Sequence, residues 1–219
     1  MGKCVHCFKE LVEVTRDHIF PSSWYTDNTP QNIQRLTVPS CRECNEKFGK
    51  LEQKLFMRLV PCIDPTKAEM SGITKKLFHT YTKNPRFLKW LKENLKPYTK
   101  DKKPFPGLGP HEGFPLESQS YIPAPVDLLP PVLEKIFRGL EYKFEQRLMK
   151  EPYALKIYHV FEEPEEIKKL LSHKSKKDIS FGPGFSVERI VPTNMKEPVI
   201  YKTIIWGTFI SYASVVKKR

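Results

Sequence analysis

Two cysteine pairs constrain this chain more tightly than any other feature. C4-V-H-C7 and C41-R-E-C44 stand 33 residues apart. A C-x-x-C segment bends so that two thiolates meet on one tight knuckle, each about 2.3 Å from a shared tetrahedral zinc. Two knuckles complete a closed four-thiolate site, which favours a structural over a catalytic metal. The spacer exceeds that of ordinary zinc fingers, so a substantial insert must fold between the knuckles. The competing readings are two disulfides or four reduced, spectator thiols. A basic chain whose first residues, M-G-K-C-V-H-C, lack an apolar signal core favours zinc and an intracellular, cytoplasmic setting. Cys62 is left over as a buried spectator. His6, inside the first knuckle, is a weaker candidate ligand than the four thiols.

The insert carries an acid beside an imidazole. E10-L-V-E-V-T-R-D-H-I-F20 reads as an extended segment leaving the first knuckle, and Pro21 stops it. Adjacent strand residues point to opposite faces, so Asp17 and His18 need not pair with each other. At the end of a strand they can still reach one site from two directions. A turn-rich stretch, S22-S-W-Y-T-D-N-T-P-Q-N-I-Q-R35, leads to L36-T-V-P-S40 and the second knuckle. That knuckle opens a helix capped by Ser40 or Cys41, with Asn45 in its first turn and Phe48, Leu51, Leu55, Phe56 and Leu59 at helical spacing. A hairpin and a helix held together by zinc would bring Asp17, His18 and Asn45 together.

In order and spacing, C-x2-C, D17-H18-I-x-P21, N32-I, and C41-x2-C44-N45-x-K47-x-G49 resemble the HNH endonucleases that carry zinc knuckles around a ββα-metal motif. The resemblance covers roughly residues 4–60. It implies that His18 is the general base activating water against a phosphodiester. It implies that Asp17 and Asn45 hold one catalytic divalent ion, Mg²⁺ or another, and that Asn32 positions the loop and the base. The chemistry is consistent with those roles: a neutral imidazole can take a proton near pH 7, and carboxylate and amide oxygens suit a hard cation. Trp24 and Tyr25 stand where the family has small residues, a departure that touches no proposed ligand. Taken alone, each of these residues would pass for a turn, a surface or a first-turn helix residue.

Charge points to a polyanion. The chain of 219 residues carries a formal net charge of +12. Residues 63–104 hold 11 Lys/Arg against 4 Asp/Glu, a net of 11 − 4 = +7. There Lys75, Lys76 and Lys89 interleave with Phe78, Tyr81, Phe87 and Trp90 on one or two basic amphipathic helices broken near Pro85. Those aromatics either stack on bases or form the helices' own core. Lys47, Lys50 and Lys54 on the zinc helix lie nearer the proposed cut and can meet phosphates. DNA is the expected partner, and the family tie disfavours RNA. The longest apolar-rich run, residues 199–216, is interrupted by Lys202 and Gly207, which argues against a membrane span.

Residues 103–117 are too rich in Pro and Gly for regular structure, a helix is expected over 131–149 and a short acidic one over 163–171, and strands at 153–161, 185–191 and in 201–216. The expected class is α+β: a zinc-stapled ββα-metal (HNH) domain at 1–62, a basic helical region at 63–102, a Pro/Gly-rich linker at 103–130, and a small antiparallel α+β domain at 131–219. His159 and His173 have no neighbours at ligand spacing, so no motif gives this last domain a role. The functional expectation is a metal-dependent DNA endonuclease. Its rival is a zinc-knuckle module that binds nucleic acid without cutting it.

Overall fold

The computed structural model describes residues 2–10, 12–64, 66–99, 115–159, 165, 176–192 and 198–217. The first knuckle closes on itself through Phe8 N–H to Cys4 O (2.9 Å) and docks on the second strand through Val5 N–H to Pro39 O (3.0 Å). Strand β1 (Thr15–His18) pairs antiparallel with β2 (Thr37–Ser40), with Asp17 opposite Val38 and His18 opposite Thr37. Helix α1 (Arg42–Leu59) follows at once. Cys41 is its N-cap, and the Cys41 sulfur accepts from Cys44 N–H, so one residue serves both helix and knuckle. Of the apolar stripe expected on this helix, Leu55, Phe56 and Leu59 are buried.

The basic region forms two helices, α2 (Ile73–Thr82) and α3 (Pro85–Asn94), with Pro85 opening the second rather than kinking one long helix. Asn84 caps α3 by accepting from Phe87 N–H at 3.2 Å. Gly72 caps α2 at φ +73, and any side chain there would run into the Asp27 carboxylate. The aromatics divide: Tyr81 is buried and donates to Met57 O (3.0 Å), Phe87 and Trp90 stack half-buried beside it, and Phe78 remains 62% exposed.

A two-residue ladder, β3 (Lys96–Pro97) with β4 (Ser120–Tyr121), precedes helix α4 (Leu129–Glu145). The sequence expects α4 to run to 149; it stops where Gln146 turns left-handed at φ 51. A five-stranded antiparallel sheet then takes the order β5-β9-β8-β7-β6, from β5 (Tyr153–His159), β6 (Lys176–Ser180), β7 (Phe185–Ile190), β8 (Val199–Ile205) and β9 (Phe209–Lys217). The architecture is thus mixed α and β with antiparallel sheets. The expected acidic helix at 163–171 falls, Glu165 apart, outside the described residues, as do His173 and most of the Pro/Gly-rich stretch at 103–117.

One hydrophobic core runs through all of this. Val5 and Val38 of the knuckle and hairpin, Leu55 of α1, Ile136 and Phe137 of α4, and Val187 and Ala213 of the sheet belong to the same cluster. Residues 1–62 and 131–219, which composition separates, therefore share their interior. One joint is Trp206, in the turn between β8 and β9. It is fully buried, donates its indole N–H to Trp24 O (2.9 Å), and packs 5.1 Å from Trp24 and 5.9 Å from Phe56. Trp206→Ala removes that packing and the hydrogen bond together. We expect it to destabilise the chain by about 3–5 kcal/mol in urea titration. Because the core is shared, unfolding should remain one transition by fluorescence and far-UV circular dichroism alike.

Candidate functional site

Cys4, Cys7, Cys41 and Cys44 converge, their sulfurs all within 4.8 Å of one another. Tetrahedral zinc with bonds of about 2.3 Å would hold its sulfurs roughly 3.8 Å apart; Cys7 Sγ and Cys41 Sγ stand at 3.7 Å. Burial alone would raise the Cys4 thiol, but backbone hydrogen bonds from Cys41, Cys7 and His6 bring it down to about 6. The four thiols can therefore hold a structural metal ion such as zinc. Cys62 lies elsewhere, donating to Arg58 O (3.5 Å), its thiol pushed up to about 11 by burial.

Strand alternation sets Asp17 and Thr15 on the side of β1 that faces α1. Asp17 is 5% exposed and both of its oxygens are engaged. Oδ2 lies 2.9 Å from His6 Nε2, and Oδ1 lies 3.2 Å from the ammonium of Lys135 on α4. The same ammonium is 2.7 Å from Glu52 Oε1 and donates to the backbone carbonyls of His18 and Ile19. Burial pushes the Glu52 carboxyl up, and the Lys135 charge pulls it partly back. Beside this cluster, Arg138 on α4 donates to His6 O and lies over the Phe8 ring.

His18 is half-buried, and among the described residues nothing hydrogen-bonds to its ring. Burial, then the Lys135 ammonium, hold its pKa below the usual imidazole value; Arg35 adds to this and the Asp17 charge opposes it. The imidazole is accordingly neutral at pH 7. Asn45 donates to Thr15 Oγ1 (3.3 Å), which in turn donates to Ser40 O (2.8 Å). Asn32 is exposed in the connection between β1 and β2. The fold thus gathers Asp17, His18 and Asn45 about β1 and the first turn of α1. It spends the Asp17 oxygens on Lys135 and His6, and leaves Asn32 in solvent.

The sequence reading missed three residues of this cluster: Glu52, Lys135 and His6 in its pairing with Asp17. Two of them carried a signal. Glu52 sits seven residues after Asn45, on the same face of α1, among Leu51, Leu55 and Phe56. Lys135 lies in the apolar stripe of α4 between Val132 and Ile136, where a solvated lysine has no place.

Lys47, Lys50 and Lys54 are exposed along α1. Beside them Gly49 and Gln53 of α1 and Lys75 and His79 of α2 line a groove of about 750 Å³. Lys76 also borders this groove but is committed to Tyr25 O (2.5 Å) and Asp27 (3.1 Å). Lys89 is exposed on α3, 3.9 Å from Glu93. Among the described residues no helix is long and apolar enough to cross a membrane.

No protein-family model matches the chain, and neither curated proteins nor solved structures give a significant match.

Two outcomes are expected. Cys41→Ala removes a thiolate and the N-cap of α1 at once, so zinc per chain should fall to background by elemental analysis, with loss of helicity. For His18 the folded pKa is depressed, so the unfolded chain takes the proton first as pH falls. The resulting cost is absent above about pH 6.5 and grows below it. The drop in Tm between pH 7.5 and 5.5 should shrink in His18→Gln.

Proposed function

We propose that this chain is an HNH-type endonuclease that hydrolyses DNA phosphodiester bonds, with His18 as the general base. One observation carries this reading: a neutral, half-buried imidazole, its ring without a hydrogen-bonding partner among the described residues, at the end of a strand packed on a zinc-type knuckle and helix. Such a ring can take a proton from water as the oxygen attacks phosphorus. The P–O3′ bond then breaks, and the 3′-oxygen leaves with a proton drawn from solvent. Arg35, close enough to depress the His18 pKa, contributes positive charge beside the attacked phosphate. Lys47, Lys50, Lys54 and Lys75 hold the backbone along α1 and the groove, with affinity that falls steeply in salt. The four thiolates hold zinc, which fixes the knuckles and does no chemistry on DNA.

The divalent ion that the family resemblance attaches to Asp17 and Asn45 does not fit these residues as they stand. Both Asp17 oxygens are paired, with His6 and with Lys135, and Asn45 is held through its amide nitrogen, which donates to Thr15. This favours a second reading, a zinc-knuckle protein that binds nucleic acid without cutting it. Plasmid nicking separates the two. Zinc-loaded protein incubated with supercoiled plasmid and Mg²⁺ or Mn²⁺ should nick it. His18→Ala should lose about 10²–10⁴-fold of that rate while keeping its zinc and its DNA affinity. Binding that is retained with no nicking under any ion would leave only the second reading.

A further inference from the structure

Lys135 occupies a seat built for a hard cation. Four oxygens surround its nitrogen: Asp17 Oδ1 at 3.2 Å, Glu52 Oε1 at 2.7 Å, Ile19 O at 3.3 Å, and His18 O. Two carboxylates and two carbonyls form a ligand set that Mg²⁺ or Mn²⁺ would accept if the oxygens drew in to roughly 2.0–2.2 Å. The single ammonium is shared between both carboxylates, with His6 Nε2 on the other Asp17 oxygen and burial pushing the Glu52 carboxyl up, whereas a divalent ion would balance two negative charges. The occupant, however, cannot exchange. The Lys135 side chain has no solvent exposure, and its stem rises from a helix whose neighbouring Val132 and Ile136 are fully buried.

The helix is also brought unusually close. Gly139, one turn after Lys135, faces Ile19 so tightly that a methyl group there would stand 3.0 Å from Ile19 Cγ1. A side chain there would press on Ile19, which follows the His18 carbonyl that Lys135 holds.

We propose that Lys135 is a tethered replacement for a divalent ion: it fills the Asp17–Glu52 seat, and the native chain therefore takes no divalent metal there. Truncating the lysine opens the seat while its oxygens remain. The proposal concerns cation occupancy alone and holds or fails independently of whether the chain cuts DNA.

The test is Mn²⁺ titration of the zinc-loaded full chain, followed by electron paramagnetic resonance and by thermal unfolding. Wild type should show no Mn²⁺ binding that Asp17→Asn removes. Lys135→Ala should bind Mn²⁺ at least tenfold more tightly than wild type, with a rise in Tm, and Asp17→Asn in that background should abolish both effects. Lys135→Met loses the same charge but fills the seat with its own stem, so it should resemble wild type in Mn²⁺ affinity. Asp17-dependent Mn²⁺ binding by wild type would overturn the proposal. So would equal Mn²⁺ affinity of the Ala and Met variants, which would locate the ion elsewhere. A Lys135→Ala chain that stays unfolded at saturating Mn²⁺ would overturn it as well, since the opened seat would then take no ion.

Discussion

A lysine ammonium cut off from water must find oxygens in place of its lost hydration, or give up its charge. Lys135 finds them on β1, on α1 and on the carbonyls that end β1. This cluster ties the hairpin, the zinc-type helix and α4 into one body. Removing any one partner would strand a buried charge, which costs far more than losing a surface ion pair. The cluster and the shared hydrophobic core together hold α4 against the hairpin and α1. The far end of the helix repeats the device with the charges reversed: Glu141, fully buried, accepts from Tyr201 (2.6 Å) and pairs with Arg147 (2.5 Å).

The knuckle and the buried lysine divide the work. The knuckle fixes where β1 and α1 begin relative to each other, since Cys41 both contributes a sulfur and caps the helix. The lysine fixes how deeply Asp17 sits. Together they turn the two adjacent residues Asp17 and His18 toward different environments, one sealed and paired, the other half-open with a depressed pKa. The face of β1 that keeps its chemistry available is the His18 face.

Local features of the fold were legible because their causes are local. The cysteine spacing, the apolar stripe of α1, the Pro85 start of α3 and most of α4 depend on residues within a turn or two of one another. The adjacency of Asp17 and His18 was equally plain. The fate of the Asp17 carboxylate was not, because the contact between Lys135 and the same strand spans 117 residues. A lysine in an apolar stripe announces that it needs partners without saying which. Likewise, nothing near Trp206 in sequence says that it will cross to Trp24, so composition divides a chain whose core is continuous.

Of the three tryptophans in the chain, two meet at that crossing, ring to ring at 5.1 Å and 44°. The third, Trp90, lies half-buried under the Arg58 guanidinium on the periphery. Two indoles this close couple their electronic transitions, and the coupling vanishes once they separate. The joint between the knuckle end and the sheet end therefore has its own optical signature in the near ultraviolet. Docking of the two halves can be followed without a label, independently of the helix content that far-ultraviolet signals report.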